Sequence, residues 1–201
     1  MSMRSKNKTA ADLMAELEGD PAFVAQRLAR EDVLRRRAEE LARAEAPVVQ
    51  ALAEVGVEVK SAWDLVNRAI RCYPEAVPVL LSHLERPYPD AIRDGIARAL
   101  AVPEARSGWE VLTRLYQDEG SGRAKDGLAV AVAAAATDDT IGDLIALARN
   151  RTHGASRLLL LRALERSKDP RAGPTLMELG ADPELHEEIE VILNRKRRST
   201  R

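Results

Sequence analysis

The feature that most constrains this chain is a helix-sized segment that returns four times at a nearly fixed spacing, over 92–100, 124–132, 156–164 and 185–193. An apolar anchor recurs at Ile96, Leu128, Leu160 and Ile189, at steps of 32, 32 and 29 residues. A second anchor follows four residues on, at Leu100, Val132, Leu164 and Leu193. The i,i+4 spacing puts each pair on one helix face. Another amphipathic stretch precedes each segment, over 77–84, 109–116, 141–148 and 174–179. Gly- and Pro-bearing linkers, such as Arg86-Pro87-Tyr88-Pro89-Asp90 and Glu119-Gly120-Ser121-Gly122, punctuate the pattern. The unit is therefore helix, turn, helix. One such hairpin cannot bury its apolar face alone, but stacked neighbours can, so the period predicts a helical array.

Composition agrees. Hydrophobic residues make up 45% of the 201 and aromatics only 3%, so the core must be Ala, Leu, Val and Ile, which suits close helix packing. No repeated period-2 run of β-branched residues predicts strands. A net charge of -1 supplies no global basic field for nucleic acid. The lone cysteine, Cys72, excludes an internal disulfide and is expected to be a small buried residue. The opening MSMRSKNK has no apolar stretch behind it, and no 18-residue apolar run occurs. Neither a secretory signal nor a membrane span is expected, which makes the cytoplasm the expected compartment.

Upstream of the repeats the pattern changes. Residues 1–10 read as a disordered tail, and 11–73 as a helical extension. Within it, 11–17 can form two turns before Gly19, and Asp20-Pro21 reads as an N-cap with proline at the first helical position. A long charged helix should run to about Ala46 along the stripe Phe23, Val24, Leu28, Val33, Leu34, Ala38 and Leu41. Its Arg35/Glu39 and Arg36/Glu40 pairs fit a solvated face, and its narrow stripe also fits a coiled-coil or docking helix. Pro47 should open a separate helix ended by Gly56. Ser61 should cap another carrying Trp63, Leu65, Val66 and Ile70, with Trp63 in the core. The hairpins span 74–197, and 198–201 form a basic tail.

The segment Asp90-Ala91-Ile92-Arg93-Asp94-Gly95-Ile96-Ala97-Arg98-Ala99-Leu100 resembles the second helix of a HEAT repeat, and Lys168-Asp169-Pro170-Arg171 resembles the turn between such repeats. The likeness covers roughly 74–197. The period is shorter than the about 40–47 residues of long HEAT repeats; it resembles short bacterial HEAT-like units and small actinobacterial HEAT-repeat proteins. The resemblance implies an all-α fold, an α-α superhelix of helical hairpins with an N-terminal helical extension.

Function has to be read from sites rather than fold. No phosphate loop, nucleophile elbow or catalytic carboxylate pair is present, so no catalytic residue, cofactor or enzyme activity is expected. His83, His153 and His186 lack metal-ligand spacing, and Asp138, Asp139 and Asp143 around Thr140 read as helix-start acids. Arg93, Lys125, Arg157 and His186 form a basic column: either a ladder bonding across adjacent units, or a stripe for an acidic peptide or phosphates. The run Leu158 to Leu161 covers a whole helix circumference. Leu158 stands where other units carry an acid, and Leu161 where they carry Ala97 and Ala129. Either the N-terminal helices cover this face or it awaits a partner. The candidate partner surface is thus Arg93, Lys125, Arg157, Leu158, Leu161 and Arg162. The expected partner is another protein, with no tight duplex nucleic acid and no membrane. The alternative is a nucleic-acid-binding protein similar to the HEAT-like alkylpurine DNA glycosylases.

Overall fold

The computed structural model describes residues 9–10, 14, 17–67 and 72–199. Most of the expected 1–10 tail, most of the turns expected over 11–17, Ile70 and the last two residues fall outside these. The described residues form ten α-helices and no strand: α1 (Pro21–Glu54), α2 (Ala62–Asn67), α3 (Ala76–Leu84), α4 (Asp90–Ala99), α5 (Trp109–Asp118), α6 (Arg123–Ala135), α7 (Ile141–Arg149), α8 (Arg157–Arg166), α9 (Ala172–Leu179) and α10 (His186–Ser199). Two 3-10 turns, η1 (Pro103–Gly108) and η2 (Arg151–Ser156), complete the set. No helix among the described residues is long and apolar enough to cross a membrane.

The start of α1 is capped as its residues predict: Asp20 Oδ1 accepts from Ala22 N at 2.9 Å. The expected break at Pro47 does not occur, and the helix continues to Glu54 with the proline inside. Proline removes the N–H that would bond Arg43 O. What holds the chain beyond it is a buried anchor. Val48 and Leu52 are fully buried. The buried Glu45 carboxylate accepts from Ser61 Oγ at 3.0 Å and from Ala62 N at 2.8 Å, capping α2 from another helix.

The chain divides into two compact units, Met1–Arg43 and Ala44–Arg201. The division falls after Arg43, four residues before Pro47, rather than near 74, and Val48, Leu52 and Leu65 are fully buried in the second unit. In the first unit, Leu28, Val33 and Leu34 are exposed. Arg36 pairs with Asp32 at 2.7 Å rather than with Glu40, and Arg35 reaches Glu39 only at 3.9 Å.

In the second unit each hairpin packs internally (α3 with α4, α5 with α6, α7 with α8, α9 with α10), and α4, α6, α8 and α10 touch in chain order. The anchors Ile96, Leu128, Leu160 and Ile189 are buried, as are Leu100, Val132 and Leu164. Around α10 the buried face runs through Leu185, just before the helix, and Ile189 and Ile192 within it, so the expected Leu193 is rotated partly outward.

Small residues set the tightest crossing. A Cβ on Gly127 of α6 would lie 2.7 Å from Asp94 Oδ1, 3.0 Å from Asp94 O and 3.1 Å from Ala97 Cβ. Glycine alone lets α6 meet α4 there. Gly95 plays a related part: a Cβ on it would lie 2.8 Å from Trp63 Nε1. Trp63 was expected in the core, yet it is 37% exposed. One part of its indole rests on the Gly95 shelf while the rest meets solvent. Cys72 is likewise exposed rather than buried. Its neighbour Tyr73 takes the interior place, donating its hydroxyl to Ala99 O at 2.8 Å.

Candidate interaction groove

The basic column proves to be internal wiring. Each member stands at the start of the second helix of its hairpin and reaches a turn of its own or the following hairpin. Arg93 pairs with Glu119, at the end of α5, with both side chains about one-fifth exposed. Lys125 is buried. Its Nζ donates to the carbonyls of Tyr116 and Glu119, sits 4.2 Å above the Tyr116 ring, and lies 3.1 Å from His153 Nδ1 in η2. Arg157 has no exposed surface. It donates to Gly154 O at 3.0 Å, to Asp182 Oδ2 at 2.9 Å and to Glu184 Oε2 at 2.5 Å. His186, in the last unit, is exposed, with Nδ1 2.8 Å from Gly180 O.

Charge follows the wiring. Burial pulls the Lys125 ammonium below its ordinary range, while Glu119 and Asp118 pull the other way. Burial, then Lys125 and Arg157, hold His153 below its usual value. An ammonium has no lone pair, so charged Lys125 requires His153 Nδ1 to accept, which keeps that imidazole neutral. Tyr116 lies in the same cluster, its hydroxyl 2.9 Å from Ser156 Oγ. Ser156 spends its proton on His153 O at 2.7 Å, so Tyr116 is the donor. Burial would lower Arg157, but Asp182 and Glu184 more than offset it; Asp182 in turn is held below the usual carboxylate range, chiefly by Arg157.

This arrangement corrects four of the six residues of the expected surface. Lys125 and Arg157 are buried among internal partners, and Arg93 is spent on Glu119. Leu161 is fully buried, as are Ala97 and Ala129 at the equivalent positions. The larger side chain fills the same inward slot.

Leu158 and Arg162 remain, and they meet in one place. With Leu159, Pro183, Glu184, Glu187, Glu188 and Val191 they line an open groove of about 720 Å³ between α8 and α10. The repeat register explains the opening. The slot pair that is Asp94 against Gly127 at the α4–α6 crossing becomes Leu158 against Glu188. Neither residue lets a backbone approach as glycine does, and α8 and α10 touch far more sparsely than α4 and α6. The floor is apolar: Leu158 and Leu159 are half-buried and Val191 is 50% exposed. The rim is acidic. Glu184 is tied to Arg157, while among the described residues Glu187 and Glu188 carry no ion pair, and Arg162 is exposed. Val191 was missed in the sequence because it adjoins Ile192 and Leu193 and reads with them as part of the buried face.

Among the described residues no group of His, Cys, Asp and Glu is placed to hold a metal ion. Comparison with family models, with curated proteins and with solved structures finds no match for this chain.

Proposed function

We propose that Ala44–Arg201 is a HEAT-type hairpin solenoid acting as a non-enzymatic protein-interaction module, and that the α8–α10 groove is its binding site. The observation that carries this is the substitution of the Asp–Gly slot by Leu158 and Glu188. It holds two helices apart, leaving an apolar floor beneath unpaired acids. Such a groove suits an amphipathic helix whose apolar stripe covers Leu158, Leu159 and Val191 and whose flanking Lys or Arg residues meet Glu187 and Glu188. The in-order contacts of the second helices and the rung-like partners of Arg93, Lys125 and Arg157 support the solenoid reading. Internal use of that column weighs against its alternative role as a stripe for an acidic peptide or phosphates.

The test is fluorescence anisotropy with a labelled amphipathic helix built from Leu and Lys, beside its Leu and Glu counterpart. The Lys peptide should bind, and Val191→Asp should weaken it at least tenfold without loss of helicity, since Val191 is half exposed. Equal binding of the Glu peptide, or unchanged affinity in Val191→Asp, would count against the groove.

A further inference from the structure

A second cavity lies at the opposite ends of the same helices from the basic ladder. It has a volume of about 300 Å³, and its polar lining is Arg106 of η1, Thr137 and Asp138 after α6, and Arg166 and Ser167 at the end of α8. Its two cations are poorly neutralised. Arg166 Nη2 caps α6 by donating to the carbonyls of Ala133 and Ala134, and among the described residues it meets no carboxylate. Arg106 is exposed and its guanidinium has no partner among the described residues. Burial and then Arg106 hold Arg166 below its ordinary range, so the two guanidinium groups repel each other. The only carboxylate in the lining, Asp138, is already engaged. Its Oδ1 accepts from Ser167 Oγ at 2.6 Å and from Lys168 N at 3.3 Å. Ile141, the first residue of α7, also lines the cavity, and Thr140 gives that helix start no side-chain cap. The amide end of α7 faces the same cavity, with Asp143 in its first turn offsetting part of its field.

We propose that this cavity is an oxyanion site, taking a phosphate group as the free ion or as a monoester, with Arg106 and Arg166 as its cations. Guanidinium forks from two separate elements match the several acceptors of a phosphate, and two cations against one engaged carboxylate leave the set short of negative charge. The site shares no residue with the α8–α10 groove, so it stands or falls independently of it.

Calorimetric titration with inorganic phosphate and with O-phosphoserine, at matched ionic strength, tests this. At least one should bind saturably, and acetate should bind at least tenfold more weakly. A tighter O-phosphoserine would assign a monoester, and a tighter inorganic phosphate the free ion. Arg106→Gln should weaken phosphate at least tenfold while leaving the melting temperature without ligand unchanged or raised, since it removes a repulsion and no hydrogen bond or ion pair among the described residues. No saturation by either probe, acetate binding as well as phosphate, or unchanged affinity in Arg106→Gln would overturn the proposal.

Discussion

Replacing Gly127 by Ala tests the helix crossing on which the repeat geometry depends. The new methyl carbon would fall 2.7 Å from Asp94 Oδ1 and 3.0 Å from Asp94 O. The carboxylate cannot swing aside freely, because Arg98 Nε holds that same oxygen at 2.7 Å. The backbone oxygen can move only with α4. Overpacking of this kind costs about 1–3 kcal/mol. Against it stands the helix propensity of Ala over Gly, about 1 kcal/mol. The net expectation is a loss of about 1 kcal/mol. Gly173 of α9 is the control, because a Cβ there meets nothing within 4 Å. Gly173→Ala should stabilise by about 0.4–1 kcal/mol. Urea titrations followed by helical ellipticity compare the midpoints at constant slope. If Gly127→Ala proves as stabilising as Gly173→Ala, the close approach of α4 and α6 is wrong.

Other perturbations probe the remaining links. Leu160→Ala should cost about 2–5 kcal/mol in the same titration; a cost below about 0.5 kcal/mol, the scale of surface changes, would mean the anchor register is misplaced. Arg157→Met should cost about 3 kcal/mol, the low end for breaking a buried pair, because Arg151 stays 3.2 Å from Asp182; a neutral result would deny that the rung carries stability. His153 and His83 titrate below the ordinary 6.5, both chiefly through burial. The folded chain therefore binds fewer protons than the unfolded one between the depressed values and 6.5. Their stabilising contribution is whole above pH 6.5, falls as pH drops through that window and levels off beneath it. Melting temperature against pH should show this decline, and Lys125→Met should shrink it by removing a cation beside His153. An unchanged decline in that variant would break the proposed coupling.

Much of the second unit was legible because its anchors repeat at a helical spacing, so an error at one position is corrected by three others. Single residues outside that redundancy were harder. Trp63 looked like core from its own helix, but its shelf is Gly95, on α4. Pro47 reads as a breaker unless the cap that Glu45 gives to Ser61 and Ala62 is known, and that contact joins distant positions. The basic column pointed to a ladder, whose acids Glu119, Asp182 and Glu184 stand among loop-forming residues that read locally as turn chemistry. At the groove, the leucine run marked the right helix. Leu161 was misread because a leucine in an alanine slot signals exposure only if that slot faces outward, and Ala97 and Ala129 are fully buried. Val191 was hidden because it stands in the apolar run Val191-Ile192-Leu193, where nothing local marks it as the member that faces outward.

The central claim is that the α8–α10 groove is where a partner helix binds. Methyl NMR of the full chain, labelled at Leu and Val and titrated with the Leu and Lys peptide, tests it most directly. Shifts concentrated on Leu158, Leu159 and Val191, with the buried Leu128 and Leu144 unmoved, are the predicted result. Shifts centred on Leu28, Val33 and Leu34 of the first unit, with the groove methyls unmoved at saturation, would contradict it.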